Sequence, residues 1–197
     1  LTSTSLSNAQ EPEVFADLEN GRAALASDAP RLHDDLDDNL ACELTAGFGD
    51  WGLWSSAHTG QDFAALLRID EASGDGMVTI ETRTDSTGGQ WVFAVDPTQQ
   101  TWEVLQFDTE SSRFVTRTGP YPYGTAGSSQ PLKSVELRVR DGFPTLLVNG
   151  IDVAASTSVV LPQVGNRGHV SFGALMASAG KIPFTVSFDE IGLYELA

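Results

Sequence analysis

Residues 135–140 alternate between apolar and charged side chains, with a valine or leucine at every second position. A period of two is typical of a β-strand that buries one of its faces. The dipeptides Asp141-Gly142 and Asn149-Gly150 bound the next strand-like run, residues 143–148. Both dipeptides accept the positive φ angles that two-residue hairpin turns require, so this stretch predicts antiparallel hairpins.

The last strand-like run changes its apolar phase. Its large apolar residues occupy even positions from Phe184 to Phe188 and then odd positions at Ile191 and Leu193. One extra residue in a strand shifts the alternation in this way. The pattern therefore predicts a β-bulge near Asp189-Glu190.

Five further short apolar runs precede the hairpins, with Gly, Pro and Asp residues between them. They are residues 62–69, 77–84, 90–95, 101–107 and 113–118. Short strands at this spacing favour a sandwich or barrel over parallel α/β units. The predicted fold class is all-β, with two antiparallel sheets in a jelly-roll sandwich. A chain of 197 residues is long enough for one such core.

The amino-terminal part carries a weaker pattern. Residues 12–25 place Val14 and Leu18 near one face of a helix, with a proline at the first helical position. We therefore expect residues 1–40 to form an arm, as a short helix or an irregular segment. This arm would pack on a β-sandwich domain of residues 41–197.

Charge narrows the classes of partner. The chain has 27 acidic and 11 basic residues, for a formal net charge of −16. Such a surface repels phosphate backbones and anionic lipids, which argues against nucleic-acid binding and electrostatic membrane docking. It fits neutral or cationic partners, divalent cations, or solubility alone. No run approaches the roughly 20 apolar residues of a membrane-spanning helix, so we expect no membrane insertion.

Cysteine use leaves the cellular compartment open. Cys42 is the only cysteine, so the chain can form neither an internal disulfide nor a cysteine metal cluster. A buried small apolar residue is the simpler interpretation of Cys42. The opening at Leu1, rich in Ser and Thr, suggests a trimmed chain or a mature form after signal removal, although no signal peptide is visible.

The acidic run of residues 33–39 has the alternating Asp and Asn residues of a calcium loop. An EF-hand is excluded, because Leu40 stands at the expected glycine and Ala46 at the closing glutamate. A solvated turn is the favoured interpretation of this run, and another kind of structural calcium site is the alternative. No other cofactor is expected.

Several segments occur in an order that is similar to one known fold family. The segments are residues 62–69, 76–83, 90–95, 137–142, 147–150, 168–173 and 186–191. They resemble the concanavalin A-like lectin/glucanase jelly roll, and within it the laminin-G-like and 3-keto-disaccharide-hydrolase-like domains of exported bacterial proteins. The likeness covers about residues 50–196. It implies a jelly-roll fold and an extracellular or cell-envelope location, but the fold hosts lectins, hydrolases, lyases and adhesion modules alike.

The resemblance also bears on Asp189. In this family the corresponding position ties the terminal strand to the amino-terminal segment, which implies a hydrogen-bonded tether. A calcium ligand is the less favoured alternative.

A glucanase on this fold would carry a Glu-x-Asp-x-x-Glu string or a similar one, which places two carboxylates on one strand face. The chain has no such string, and Glu103, Asp108 and Glu110 lack the spacing that keeps them on one face. Residues 135–140 partly match an alginate-lyase strand. Alternating charge on a solvent face is the simpler interpretation of that match.

Other catalytic patterns are also missing. Ser171 lacks the first glycine of a nucleophile elbow and lies in a predicted strand. The three histidines have no metal-ligand spacing: His33, His58 and His169. We therefore expect no catalytic residues, although a hydrolase built from scattered residues is the alternative.

Aromatic residues are the better candidates for a binding site. Sugar-binding modules stack pyranose rings on exposed Trp or Tyr side chains. The candidate ligand-binding residues are Trp51, Trp54, Tyr121 and Tyr123. Packing is the alternative for the tryptophans, and anchoring of the loop at 120–129 is the alternative for the tyrosines. Trp91 and Trp102 alternate with apolar residues and are interpreted as core.

The expected function is that of a non-catalytic exported recognition module for a carbohydrate or another cell-surface polymer. Two alternatives stay open: a glycoside-processing enzyme on the same fold, and a structural or protein-interaction domain of a larger surface protein. The oligomeric state is not predicted.

Overall fold

A computed structural model describes most of the chain. The described residues are 9–17, 22–24, 42–46, 51–58, 62–84, 90–108, 110, 113–124, 130–164, 168–176 and 182–196. Side chains are described for residues 62–82, 90–108, 110, 114–124, 130–164, 169–175, 182–193 and 196. The predicted calcium-loop run, residues 33–39, lies outside the described residues.

Fourteen strands and one short helix lie within these described ranges. In chain order they are β1 Ala9–Asp17, β2 Arg22–Ala24, β3 Cys42–Ala46, β4 Trp51–His58, β5 Phe63–Ser73, β6 Gly76–Thr84, β7 Gln90–Asp96, β8 Thr101–Asp108, β9 Arg113–Pro122, β10 Ser134–Arg140, β11 Phe143–Val148, β12 Ile151–Asp152, α1 Val153–Thr157, β13 Gly168–Met176 and β14 Phe184–Leu196.

The strands form two sheets. The order in the eight-stranded sheet is β12-β11-β10-β5-β14-β1-β2, with β3 also paired to β14, and the order in the six-stranded sheet is β4-β13-β6-β7-β8-β9. Every registered strand pair is antiparallel. The chain is therefore a two-sheet antiparallel jelly-roll sandwich, as the strand pattern predicts.

The core lies between the two sheets, where alternate residues of each strand meet. Its largest fully buried side chains are Trp102, Phe63, Phe93, Phe172, Phe184, Phe188, Leu66, Leu67, Ile69 and Ile80, of which all but Leu66 belong to the main core cluster. Trp91 is partly buried and packs against the same cluster. The core interpretation of Trp91 and Trp102 is confirmed.

Both predicted hairpin turns have the backbone that their sequences favour. The φ angles are 50° and 79° at Asp141 and Gly142, and 51° and 79° at Asn149 and Gly150. Asn149 adds side-chain bonds: its Oδ1 accepts from the backbone N–H of Lys133 at 2.7 Å and of Ser134 at 3.1 Å. Its Nδ2 donates to the carbonyl of Pro131 at 3.0 Å. The turn residue therefore also fastens the start of β10.

The predicted bulge in the last strand is confirmed. The pairing of β14 with β5 shifts register between Ser187 and Phe188 and again between Phe188 and Glu190. The shift lets Phe188 and Ile191 both enter the core although their positions differ in parity.

The predicted helix within residues 12–25 is wrong for the part that the structure describes. Residues 9–17 form β1, which pairs with β14 from Ala9 opposite Leu196 to Asp17 opposite Glu190. Pro12 has no N–H to give to a ladder, and the register shifts on both sides of it. Pairing with the edge of β14 outweighs the weak helical periodicity. The domain boundary at residue 40 stays a prediction.

Among the described residues, no helix has both the length and the apolar character required to cross a membrane.

Candidate functional site

The side of the six-stranded sheet that faces away from the core is called the outer face here. Ile80, Phe93 and Val104 lie side by side on β6, β7 and β8, and all three point into the core. Because side chains alternate along a strand, their neighbours in sequence occupy the outer face. The outer face combines buried polar groups with a strip of apolar ones.

The buried polar groups come from β6 and β13. Glu81 is 4% exposed, and Thr79 and Ser171 are also buried. Ser171 lies opposite Glu81, and Gly173 lies opposite Thr79. Gln90, at the start of β7, donates a hydrogen bond from Nε2 to Oε1 of Glu81. We call Thr79, Glu81, Gln90 and Ser171 the polar floor.

An apolar strip adjoins the polar floor. Val92 and Ala94 of β7 and Leu105 of β8 are buried there, and three partly buried side chains pack around them: Met77, Phe114 and Leu175. Phe107 and Phe114 meet edge to face, with ring centroids 5.2 Å apart and an interplanar angle of 61°. Carboxylate, hydroxyl and amide groups beside apolar and aromatic surface are the combination that small polar organic ligands require.

A second carboxylate on this face is distant from the first. Glu103 is partly buried and accepts a hydrogen bond from Oγ1 of Thr116 at 3.0 Å. Glu81 pairs through Val92 with Leu105, which places Glu103 two strands away and two residues along. With ordinary strand spacings, the two backbone positions are about 12 Å apart. Glycosidases are characterised by the distance between their two carboxyl groups, which the backbone separation alone does not determine.

Ser171 and His169 occupy the same face of β13, but the structure gives no hydrogen bond between them. His169 is exposed, whereas Ser171 is buried and lies opposite Glu81. A serine nucleophile requires a base within hydrogen-bond reach. These two side chains therefore do not form a nucleophile and base pair in this structure.

The register separates the two predicted tryptophans. Trp54 lies opposite Phe172, a core residue, and Trp51 lies opposite Leu175, which belongs to the outer face. Their side chains lie outside the described residues. By position alone, Trp51 shares a face with the polar floor and Trp54 shares a face with the core. The sequence predicts that both tryptophans belong to one ligand-binding site, whereas the strand register places them on opposite faces of the sheet.

The two predicted tyrosines also differ. Tyr121 belongs to β9 and is 37% exposed, and its ring lies 5.6 Å from that of Trp102 at an angle of 40°. Tyr123 is only 6% exposed and belongs to the core cluster. Burial, together with the charge of Asp96, raises the pKa of Tyr123 to about 12. Tyr123 therefore matches the anchoring alternative and offers no exposed ring for a ligand.

The burial of Glu136 contradicts the interpretation of residues 135–140 as alternating charge on a solvent face. Alternating charge on a solvent face predicts an exposed Glu136, but this side chain is 0% exposed on the side of β10 opposite the core. Its Oε1 accepts from Nε of Arg138, and its Oε2 has no hydrogen-bond partner among the described residues. Burial raises the pKa of Glu136, and the hydrogen bond and charge of Arg138 oppose that shift.

Sequence alone gives no signal that separates these buried carboxylates from exposed ones. Glu136 lies between Val135 and Leu137, and Glu81 lies between Ile80 and Thr82, which are positions that a solvent-facing residue of a strand also takes. Parity assigns a residue to a face, whereas its burial depends on what lies beside and above it. The alternation of the sequence therefore does not reveal the polar floor.

The described part of the chain shows no metal site. Among the residues whose side chains are described, no group of three or more His, Cys, Asp or Glu side chains could hold an ion. Asp189 is exposed. For residues 33–39, the solvated turn stays the prediction and a structural calcium ion stays its alternative.

Comparison with known proteins supports the fold. No family model matches this chain, and no curated protein sequence matches it significantly. A Crh5 transglycosylase in complex with NAG superimposes with a TM-score of 0.51 at 13% identity, over 96% of this chain and 87% of that one. A β-agarase A in complex with oligoagarose gives a TM-score of 0.49 at 11% identity, over 80% and 72%. The first likeness agrees with a concanavalin A-like sandwich, and the laminin-G-like subtype stays a prediction.

Proposed function

We propose that this chain is a non-catalytic carbohydrate-recognition module that binds its ligand on the outer face of the six-stranded sheet. The polar floor is the observation that carries this proposal. An ionised carboxylate accepts hydrogen bonds at several positions, and hydroxyl side chains both donate and accept them. Sugars present dense hydroxyl groups beside apolar C–H faces. The polar floor and the adjoining apolar strip complement these two features.

Two further observations support recognition over cleavage. The chain has no Glu-x-Asp-x-x-Glu string, and Ser171 and His169 do not form a nucleophile and base pair in this structure. The glycoside-processing enzyme on the same fold is therefore the second candidate. The Crh5 transglycosylase described above is in complex with NAG. That ligand agrees with the proposed class of ligand, a carbohydrate, and identifies no particular sugar for this chain.

An extracellular or cell-envelope location fits this role, since glycan polymers are accessible there. The proposed partner is a glycan or another cell-surface polymer. Nucleic acid is disfavoured by the net charge of −16.

A glycan array, probed with the purified chain in calcium and again with a chelator, tests this proposal. We expect a selective set of hits, and the Glu81→Ala variant should bind them at least tenfold more weakly because a buried acceptor is lost. Glu71→Ala is the matched control, since Glu71 is exposed on β5 of the other sheet. Loss of hits in the chelator would instead assign a calcium ion to the site.

Thermal unfolding of each variant separates lost binding from lost folding. Unchanged affinity in a folded Glu81→Ala variant would place the ligand elsewhere. An array with no hits from a folded sample would favour the structural or protein-interaction alternative. Release of reducing sugar from a hit glycan would favour the enzyme.

A further inference from the structure

The turn at Asn149-Gly150 carries a chemically reactive pair of residues. The backbone nitrogen of the glycine can attack Cγ of the asparagine side chain, because glycine has no Cβ to hinder the approach. The new N–Cγ bond closes a five-membered imide, and Nδ2 leaves as ammonia with the proton of the attacking nitrogen. Water then opens the imide at either of its carbonyl groups and leaves aspartate or isoaspartate. Neither step oxidises or reduces the chain.

The folded turn engages both polar atoms of the Asn149 side chain. Oδ1 accepts from the backbone N–H groups of Lys133 and Ser134, and Nδ2 donates to the carbonyl of Pro131. The backbone N–H of Asn149 also donates to the carbonyl of Ser134, at 2.9 Å. Because Nδ2 is the group that leaves, the reaction must break its bond to Pro131. Asn149 is therefore held in its unreacted form by residues 131–134.

The backbone of the turn opposes ring closure as well. Asn149 has φ of 51°, in the left-handed region, where ψ is about 47°. The imide ring contains the bond between Cα and the carbonyl carbon, so it fixes ψ of this residue far from that value. Val148 and Ile151 pair with each other on the two sides of the turn. Rotation of ψ into the ring geometry would separate them, so the reaction requires the turn to open.

From this geometry we infer that Asn149 is a deamidation site, blocked in the folded chain and reactive when the turn separates from residues 131–134. The rate in the native chain is then the rate in the unfolded chain multiplied by the fraction of molecules in which the turn is open. The site lies on the eight-stranded sheet, so the inference is independent of the proposed function on the other sheet.

The reaction also leaves a turn that cannot be restored. An ionised aspartate only accepts hydrogen bonds, so it cannot donate to the carbonyl of Pro131 as Nδ2 of Asn149 does. Isoaspartate adds a methylene group to the backbone of a two-residue turn, which disturbs the pairing of Val148 with Ile151. A molecule that reacts while it is open therefore refolds with a weaker turn and keeps a permanent record of the opening.

Peptide mass spectrometry of the chain, incubated in buffer and in urea concentrated enough to unfold it, tests the inference. The matched control is Asp141→Asn, which places a second Asn-Gly pair in the other hairpin turn. The two turns have nearly the same φ angles. Among the described residues, Asp141 donates its backbone N–H to Oδ1 of Asp62 at 2.7 Å, and its side chain makes no hydrogen bond.

We expect both Asn-Gly pairs of the Asp141→Asn variant to deamidate at the same rate in urea. In buffer, Asn149 should react about tenfold more slowly than the pair at 141–142, or more slowly still, because three side-chain hydrogen bonds hold it. Equal rates in buffer would overturn the inference. The same conclusion would follow if Asn149 reacted as fast in buffer as in urea.

Two further measurements test the chemistry and its consequence. In urea, Gly150→Ala should slow the reaction at Asn149, because a Cβ hinders the attacking nitrogen; an unchanged rate would replace cyclisation by direct hydrolysis and overturn the mechanism. The isoaspartyl form, separated by chromatography, should unfold at a lower urea concentration than the unreacted chain. Equal unfolding midpoints would contradict the weaker turn. Glycan binding enters none of these measurements, so they leave the proposed function unaffected.

Discussion

Glu136 makes the stability of this fold dependent on pH. Burial raises the pKa of its carboxyl group in the folded chain, so the folded state binds a proton more readily than the unfolded state. Stability from this residue is therefore greatest when the pH lies below the unfolded pKa, and it is lost as the pH rises through the folded pKa. Ionisation of this buried carboxyl group therefore lowers the stability of the fold.

We expect Glu136→Gln to be about 1 kcal/mol more stable than the unmodified chain at a pH where the native carboxyl group is ionised, because a neutral amide avoids the desolvation cost of the carboxylate. The difference should shrink as the pH falls toward the ordinary carboxyl pKa, where the native side chain is protonated. Urea unfolding at several pH values measures this. Glu71→Gln, at an exposed position, should show no such trend.

A lower stability of Glu136→Gln at every pH would contradict this account. It would mean that the pair with Arg138 contributes more to folding than the burial of the carboxylate costs.

At the scale of single strands, Trp51 and Trp54 occupy positions of opposite parity on β4. Trp54 pairs with a core residue, Phe172, and Trp51 pairs with Leu175 on the outer face. We expect Trp54→Ala to lower the free energy of unfolding by about 3–5 kcal/mol, as truncation of a core aromatic does. Trp51→Ala should cost less stability and should weaken glycan binding. Denaturant titration and the glycan array, applied to both variants, measure the two effects.

Equal losses of stability at the two positions would assign Trp51 to packing as well. Normal glycan binding by Trp51→Ala would remove Trp51 from the proposed site.

The turn between β11 and β12 depends on one side chain. Asn149 has φ of 51° and makes three side-chain hydrogen bonds to the segment at the start of β10. We expect Asn149→Ala to lower the free energy of unfolding by about 3 kcal/mol, the sum of lost hydrogen bonds and left-handed backbone strain. Gly150→Ala is the control for strain alone, since no atom lies within 4 Å of an added Cβ there. It should cost about 1 kcal/mol, and an equal cost in both variants would show that the side-chain bonds contribute nothing.

The period-two alternation of the sequence predicts some features of these strands and leaves others unpredicted. It locates the hairpin turns at 141–142 and 149–150 and the bulge in β14 because glycine, asparagine and apolar parity leave direct marks in a sequence. It misses β1, whose pairing depends on the distant edge of β14. It also misses the burial of Glu81 and Glu136, since a period of two describes one face of a sheet and leaves the other face undetermined.

At the scale of the whole molecule, the two sheets present different chemistry. Both carry a buried carboxylate on the side away from the core, Glu81 on one sheet and Glu136 on the other. Glu136 accepts from the guanidinium of Arg138, on the same strand of the eight-stranded sheet. Glu81 accepts from the amide of Gln90, on the face that also carries Glu103 and Asp96. The outer face of the six-stranded sheet is the one on which we propose glycan binding.

The central position of β14 also determines when this sandwich can assemble. β14 pairs with β5 along one side and with β1 and β3 along the other, so it connects strands from the beginning and the middle of the chain. During synthesis, those strands leave the ribosome before β14 exists to join them. The eight-stranded sheet must therefore close after the chain has been made through residue 196. Until then, β1, β3 and β5 each expose an edge with which another chain could pair.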